Sequence, residues 1–243
     1  MHGIVSLLDN DHYQLVEEVW AELEREFSVH GVYVTPYPHF SYHVAQVYDV
    51  DKIEPVLKRI TSNITTFTVT TSGLGVFTGT SPVLYIPVAR SLELAELHQE
   101  LWQEISPASS GVQQYYHPNQ WIPHITIGFG DISKDKLSQI IPFLAERKYH
   151  WEITVNNIAL IYDTGTKQEP KSRFDITNEP VPGESSMEGL YWHPIPSDII
   201  EQLDRVRERI RQESNGYVFE DSAEIIRQQR EERTRQLLGE DEE

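Results

Sequence analysis

Apolar residues recur along this chain with two different periods, and the changes from one period to the other mark its elements. Residues 2 to 8 form an apolar run that stops at Asp9-Asn10-Asp11, which predicts a strand followed by a helix N-terminus. Leu15, Val16, Val19, Trp20 and Leu23 then sit at helical spacing and predict a helix over 12–27 with one buried stripe. Pro36 and Pro38 require an ordered, non-helical loop before the next strand, Pro38 to Ala45. Ile53, Val56, Leu57 and Ile60 predict a second helix over 50–60, and the Thr-, Val- and Phe-rich run 65–77 a strand interrupted near Gly73 and Gly75. A strand over 83–88 and a helix over 91–105 follow, then a polar loop to Gln120 and the apolar stretch Trp121 to Gly130. A helix over 134–145 and strands over 149–162 and 171–177 complete the series.

Two stretches match. Pro38-His39-Phe40-Ser41 and Pro123-His124-Ile125-Thr126 are 85 positions apart, and the same shift superposes Phe77 on Tyr162. Between these anchors both copies read strand, helix, long strand. Successive side chains on a strand alternate faces, so His39 shares a face with Ser41, and His124 with Thr126. Duplicated α/β lobes packing about a pseudo-twofold axis would bring the two histidines face to face across a cleft. Two opposed imidazoles suit attack at phosphorus, one removing a proton from the nucleophile and the other delivering one to the leaving oxygen. Ser41 and Thr126 can donate hydrogen bonds to the non-bridging oxygens, where charge develops. Such chemistry requires no metal or other cofactor.

Composition narrows the partners. The formal net charge of the 243 residues is -18, and 14 acidic and 8 basic residues from Ser197 onward carry -6 of it, which leaves -12 on residues 1–196. A surface of that sign disfavours duplex DNA but leaves room for a small nucleotide or an RNA terminus. The chain has no cysteine, which excludes disulfides and thiolate chemistry. There is no apolar run of membrane-spanning length, and Met1-His2-Gly3-Ile4 lacks the basic start of a signal peptide. A cytoplasmic protein with no membrane partner is therefore expected.

The doubled His-x-Ser/Thr motif, its spacing and the strand-helix-strand surroundings resemble the two-histidine (2H) phosphoesterase superfamily, and within it the 2′-5′ RNA ligase-like group. The resemblance covers residues 1–177. It implies an α+β, bilobed fold, with two pseudo-symmetric lobes of antiparallel sheet plus helices around a central cleft. It also implies metal-independent cleavage or formation of a phosphodiester, such as a 2′,3′-cyclic phosphate or a 2′-5′ linkage in a nucleotide or RNA. His39 and His124 match the catalytic positions, and Ser41 and Thr126 the phosphate-binding ones, with serine where threonine is more frequent. The alternative is a non-catalytic protein that binds a nucleotide or RNA end and recruits a partner through a helical tail.

Further candidates for the substrate are His43, Tyr85, Tyr115, Tyr116, Trp121 and Arg173, with Arg90 and Lys171 also near the expected cleft. His43 lies four residues after His39 and so should share its face, as a cleft-wall or core histidine rather than half of a zinc site. The aromatic residues 115, 116 and 121 could stack on a base or pin their loop to the body. Residues 178–196 have linker composition, and 197–243 read as a helical C-terminal extension. Its stripe Ile199, Leu203, Val206 and Ile210 would serve either packing on the body, self-association or a protein partner.

Overall fold

Strand β1 (His2–Leu7) leads into helix α1 (Asn10–Phe27), whose start is fixed by the Asp9 carboxylate accepting the His12 N–H at 3.1 Å. The computed structural model describes residues 1–165 and 167–177. Val16, Val19, Trp20 and Leu23 form the buried stripe of α1, whereas Leu15, expected within it, is exposed. Ser28 ends the helix in the left-handed conformation, with φ 52°. Next come β2 (His39–Ala45), the short β3 (Val47–Tyr48) and α2 (Val50–Asn63). The expected strand 65–77 is two strands, β4 (Phe67–Thr70) and β5 (Gly75–Phe77), split near the two glycines. Then follow β6 (Val83–Pro87), α3 (Leu92–Ile105), β7 (Ser109–Ser110), β8 (His124–Gly128) and α4 (Lys134–Ala145). The expected strand 149–162 is likewise two, β9 (Glu152–Val155) and β10 (Asn157–Asp163), and β11 (Gln168–Asp175) closes the described chain. Ser91 and Ser133 cap α3 and α4 through their hydroxyls.

Among the described residues one antiparallel sheet runs in the order β11-β10-β1-β2-β8-β6-β5, and two short pairs, β3-β7 and β4-β9, stand beside it. The α+β, two-lobed arrangement expected from the repeat is present, and the sheet displays its axis. Phe40 of β2 pairs with Ile125 of β8, its own equivalent 85 positions on. Phe67 to Thr70 pairs with Glu152 to Val155, again its equivalent under the same shift. Outward from the β2/β8 seam the order is β1, β10 on one side and β6, β5 on the other.

Each lobe nevertheless contains parts of both repeats. The first repeat is β1-α1-β2-α2-β4-β5 and the second β6-α3-β8-α4-β9-β10. Strand β10 of the second repeat joins β1 and β2, while β5 of the first joins β6 and β8. Helix α1 packs against β8, and α3 against β2. Large apolar side chains fill the seam from below: Phe40, Tyr42, Leu84, Ile86, Ile125 and Ile127 are all buried. No helix of the described residues is long and apolar enough to cross a membrane. The predicted linker and C-terminal helices lie outside the described residues.

Candidate active site

His39 opens β2 and His124 opens β8. Because Phe40 and Ile125 pair and point into the core, the neighbouring side chains of both strands rise from the other face. Antiparallel register sets His39 across from Thr126, and Ser41 across from His124. All four line one cavity of about 300 Å³.

The two imidazoles are held in the same way. Nδ1 of His39 lies 2.5 Å from the Tyr37 carbonyl oxygen, and Nδ1 of His124 lies 2.7 Å from that of Ile122. A carbonyl can only accept, so in both rings Nδ1 carries the proton that is donated and Nε2 is left for a ligand. Burial pushes the His39 pKa down to about 4; the Tyr37 carbonyl opposes this and the neighbouring His124 adds to it. Burial also lowers His124, against the pull of the Ile122 carbonyl.

The hydroxyl residues are anchored through their backbones. The Trp121 indole N–H donates to the Ser41 carbonyl at 2.9 Å, and the Trp20 indole N–H to the Thr126 carbonyl at 3.1 Å. The Tyr116 hydroxyl interacts with Ser41, and burial raises its pKa, so it stays a neutral phenol at the cleft. Tyr85 lies beside Thr126 in the ladder, and its ring meets His124 edge-on at 5.2 Å. Phe77 stacks on Tyr85 at 4.1 Å and meets His124 at 4.9 Å. A Cβ on Gly75 would come within 2.4 Å of the Tyr85 ring, so glycine is what lets that ring lie flat against β5.

His43 departs from the face that strict alternation gives it, Trp121 takes the loop-pinning role of its two alternatives, and Arg173 stands away from the cavity. His43 is fully buried, with Nδ1 2.8 Å from the Tyr48 hydroxyl and Nε2 3.2 Å from the Ser106 hydroxyl. The cause is a β-bulge: Ile4 pairs with His43 but Val5 pairs with Ser41, so one extra residue of β2 reverses the alternation. Val44, not His43, reaches the cavity. Trp121 is buried and stacks on His98 at 3.7 Å, which makes it a pin for its loop as well as an anchor of Ser41. Arg173 stands on edge strand β11, paired with Asp175 at 2.7 Å and away from the cavity. Lys171 lies over the Tyr162 ring, and Arg90 over that of Trp121. Tyr115 is exposed beside a second recess that shares His124 and Thr126. Sequence reasoning missed Trp20, read only as a core residue, and Phe77, seen only as a repeat anchor.

This geometry accompanies a family match over most of the body: the model of the 2′-5′ RNA ligase superfamily matches residues 11–167. The chain belongs to the 2′-5′ RNA ligase superfamily. Among solved structures, TT0787 of Thermus thermophilus aligns with a TM-score of 0.53 and 14% identity, covering 74% of this chain and 99% of that one. That likeness is one of fold. LigT of E. coli, solved with 3′-AMP, aligns with a TM-score of 0.46 and 15% identity, covering 73% of this chain and 98% of that one. A search of curated proteins returned no match. The match to the 2′-5′ RNA ligase superfamily includes both histidine motifs.

Proposed function

We propose that this member of the 2′-5′ RNA ligase superfamily is a metal-independent phosphoesterase that opens a 2′,3′-cyclic phosphate, or cleaves or reversibly forms a 2′-5′ linkage, at a nucleotide or RNA terminus. The observation that carries the reading is the matched pair of imidazoles, each donating through Nδ1 to the carbonyl two residues back and sharing one cavity. His39, which burial pushes down to about 4 and so keeps neutral, acts as the base. In hydrolysis its Nε2 takes a proton from water as the water oxygen bonds to phosphorus. The bond from phosphorus to one ribose oxygen breaks, and protonated His124 gives that oxygen a proton through Nε2. The products are a phosphomonoester and a free hydroxyl. Thr126 and Ser41, each across the seam from an imidazole, donate hydrogen bonds to the non-bridging oxygens as charge builds there.

The test is hydrolysis of a 2′,3′-cyclic nucleotide and of a 2′-5′ dinucleotide in the presence of EDTA. Turnover should survive the chelator and be lost in His39→Ala and in His124→Ala. Wild-type turnover in both variants would overturn the assignment, and binding without turnover in the wild type would favour a non-catalytic role.

A further inference from the structure

Beside the histidine cavity lies a second recess of about 720 Å³ that the proton transfers do not use. The two share Met1, Val44, Tyr116, His124, Thr126 and Phe129 and so form one continuous cleft. Phe77, Tyr115, Ile122 and Phe129 line the second recess. Tyr115, Ile122 and Phe129 leave 77, 49 and 46% of their surface in water, an apolar cluster of the kind that marks a ligand site. Gln113 and Gln120 bring amide groups to the same recess. Its volume falls within the range of about 300–1,000 Å³ common for small-ligand pockets.

Among the described residues, neither recess is lined by a lysine or an arginine. Arg173 is paired with Asp175 and Lys171 lies over Tyr162, while Arg90 lies over the ring of Trp121, a lining residue of the second recess, without lining it itself. A groove that follows an RNA backbone needs basic side chains along its path, and the net charge of -18 opposes a polyanion at long range. Aromatic faces with amides beside them suit one nucleobase, and the histidine cavity suits one phosphate.

We infer that the cleft takes one nucleobase beside one phosphodiester, so that a single nucleotide carries the recognition and the rest of an RNA chain adds no affinity. This rests on the phosphoesterase reading and narrows what the site recognises to the terminal nucleotide. The base stacks in the Tyr115–Phe129 recess while the phosphodiester sits between His39 and His124.

The experiment is calorimetric binding to the full chain carrying His39→Ala, which stops turnover during the titration. The probes are 2′,3′-cyclic AMP, 2′,3′-cyclic CMP and a ten-nucleotide RNA ending in the same cyclic phosphate, at 50 and 200 mM salt. The better mononucleotide and the RNA should bind within roughly fivefold of one another at both salt concentrations, because among the described residues no lysine or arginine lines either recess to meet the extra phosphates. Adding Tyr115→Ala or Phe129→Ala should weaken mononucleotide binding by at least about fivefold, the size of a lost stacking contact. RNA binding more than about fivefold tighter at low salt would reveal a basic track and overturn the inference. Unchanged binding in both aromatic variants would overturn it as well. The catalytic reading is tested separately, by turnover with and without His39→Ala, so each can fail alone.

Discussion

His39 stands across the β2/β8 seam from Thr126, and His124 across from Ser41, because Phe40 pairs with Ile125, its own equivalent in the repeat. Each imidazole therefore faces the hydroxyl residue of the other repeat across the seam. The proposed site is composed at the pseudo-twofold axis, with one histidine and one hydroxyl from each repeat.

His39→Ala and His124→Ala should each lower turnover by about 10²–10⁴-fold, the range for a lost general acid or base. The double variant should lose little more than the worse single one, since both groups act in one transition state. Steady-state rates with circular dichroism as a control check this. Additive losses would mean that the two act independently.

Thr126→Val removes a hydroxyl donor while keeping shape, and should cost on the order of 10²-fold in kcat with a smaller change in KM. Ser41→Ala should act in the same direction. A change confined to KM would place the hydroxyls in ground-state binding alone.

The pH dependence follows from two lowered histidines. In the free protein the productive form has His39 neutral and His124 protonated. His39 loses its proton near pH 4, and His124 does so below its ordinary value of 6.5. The kcat/KM profile should peak between those limits and decline toward neutral pH as His124 deprotonates. A bound phosphodiester anion favours the imidazolium, so the basic limb of kcat should lie at higher pH than that of kcat/KM. A kcat/KM profile that rises through neutrality would contradict the roles assigned.

Trp121→Phe keeps a ring against His98 but deprives the Ser41 carbonyl of its indole donor. The expected cost is about 1–3 kcal/mol in a denaturant titration, with a fall in kcat as Ser41 loosens. Stability and rate both unchanged would show that the bond positions nothing.

His43 and His98 are buried, and burial lowers each to about 4. The unfolded chain binds these protons near pH 6.5 and the folded chain does not. Stability should thus be complete above 6.5 and be lost progressively as pH falls toward 4. His98→Gln keeps a donor for the Tyr42 carbonyl and removes one titration. Its loss of midpoint between pH 7 and 5 should be smaller than that of the wild type; an equal loss would locate the effect in other groups.

Residue order alone determined a good part of this protein. Apolar spacing, with the cap signal at Asp9-Asn10-Asp11, pointed to the helices, and the 85-residue repeat to an axis and to two His-hydroxyl pairs, because those signals are written in residue order. Which face each side chain takes along a whole strand is a different matter. The bulge of β2 opposite β1 exists only where the two strands pair, and it sends His43 to the core and Val44 to the cleft. The exchange of β5 and β10 between lobes, which sets Phe77 against His124, is a matter of long-range strand order. Arg173 was drawn away by Asp175, two residues on along an edge strand, where only the fold shows that the cleft lies elsewhere. Local pattern encodes what the chain can form; the pairing of distant strands decided which side chains meet.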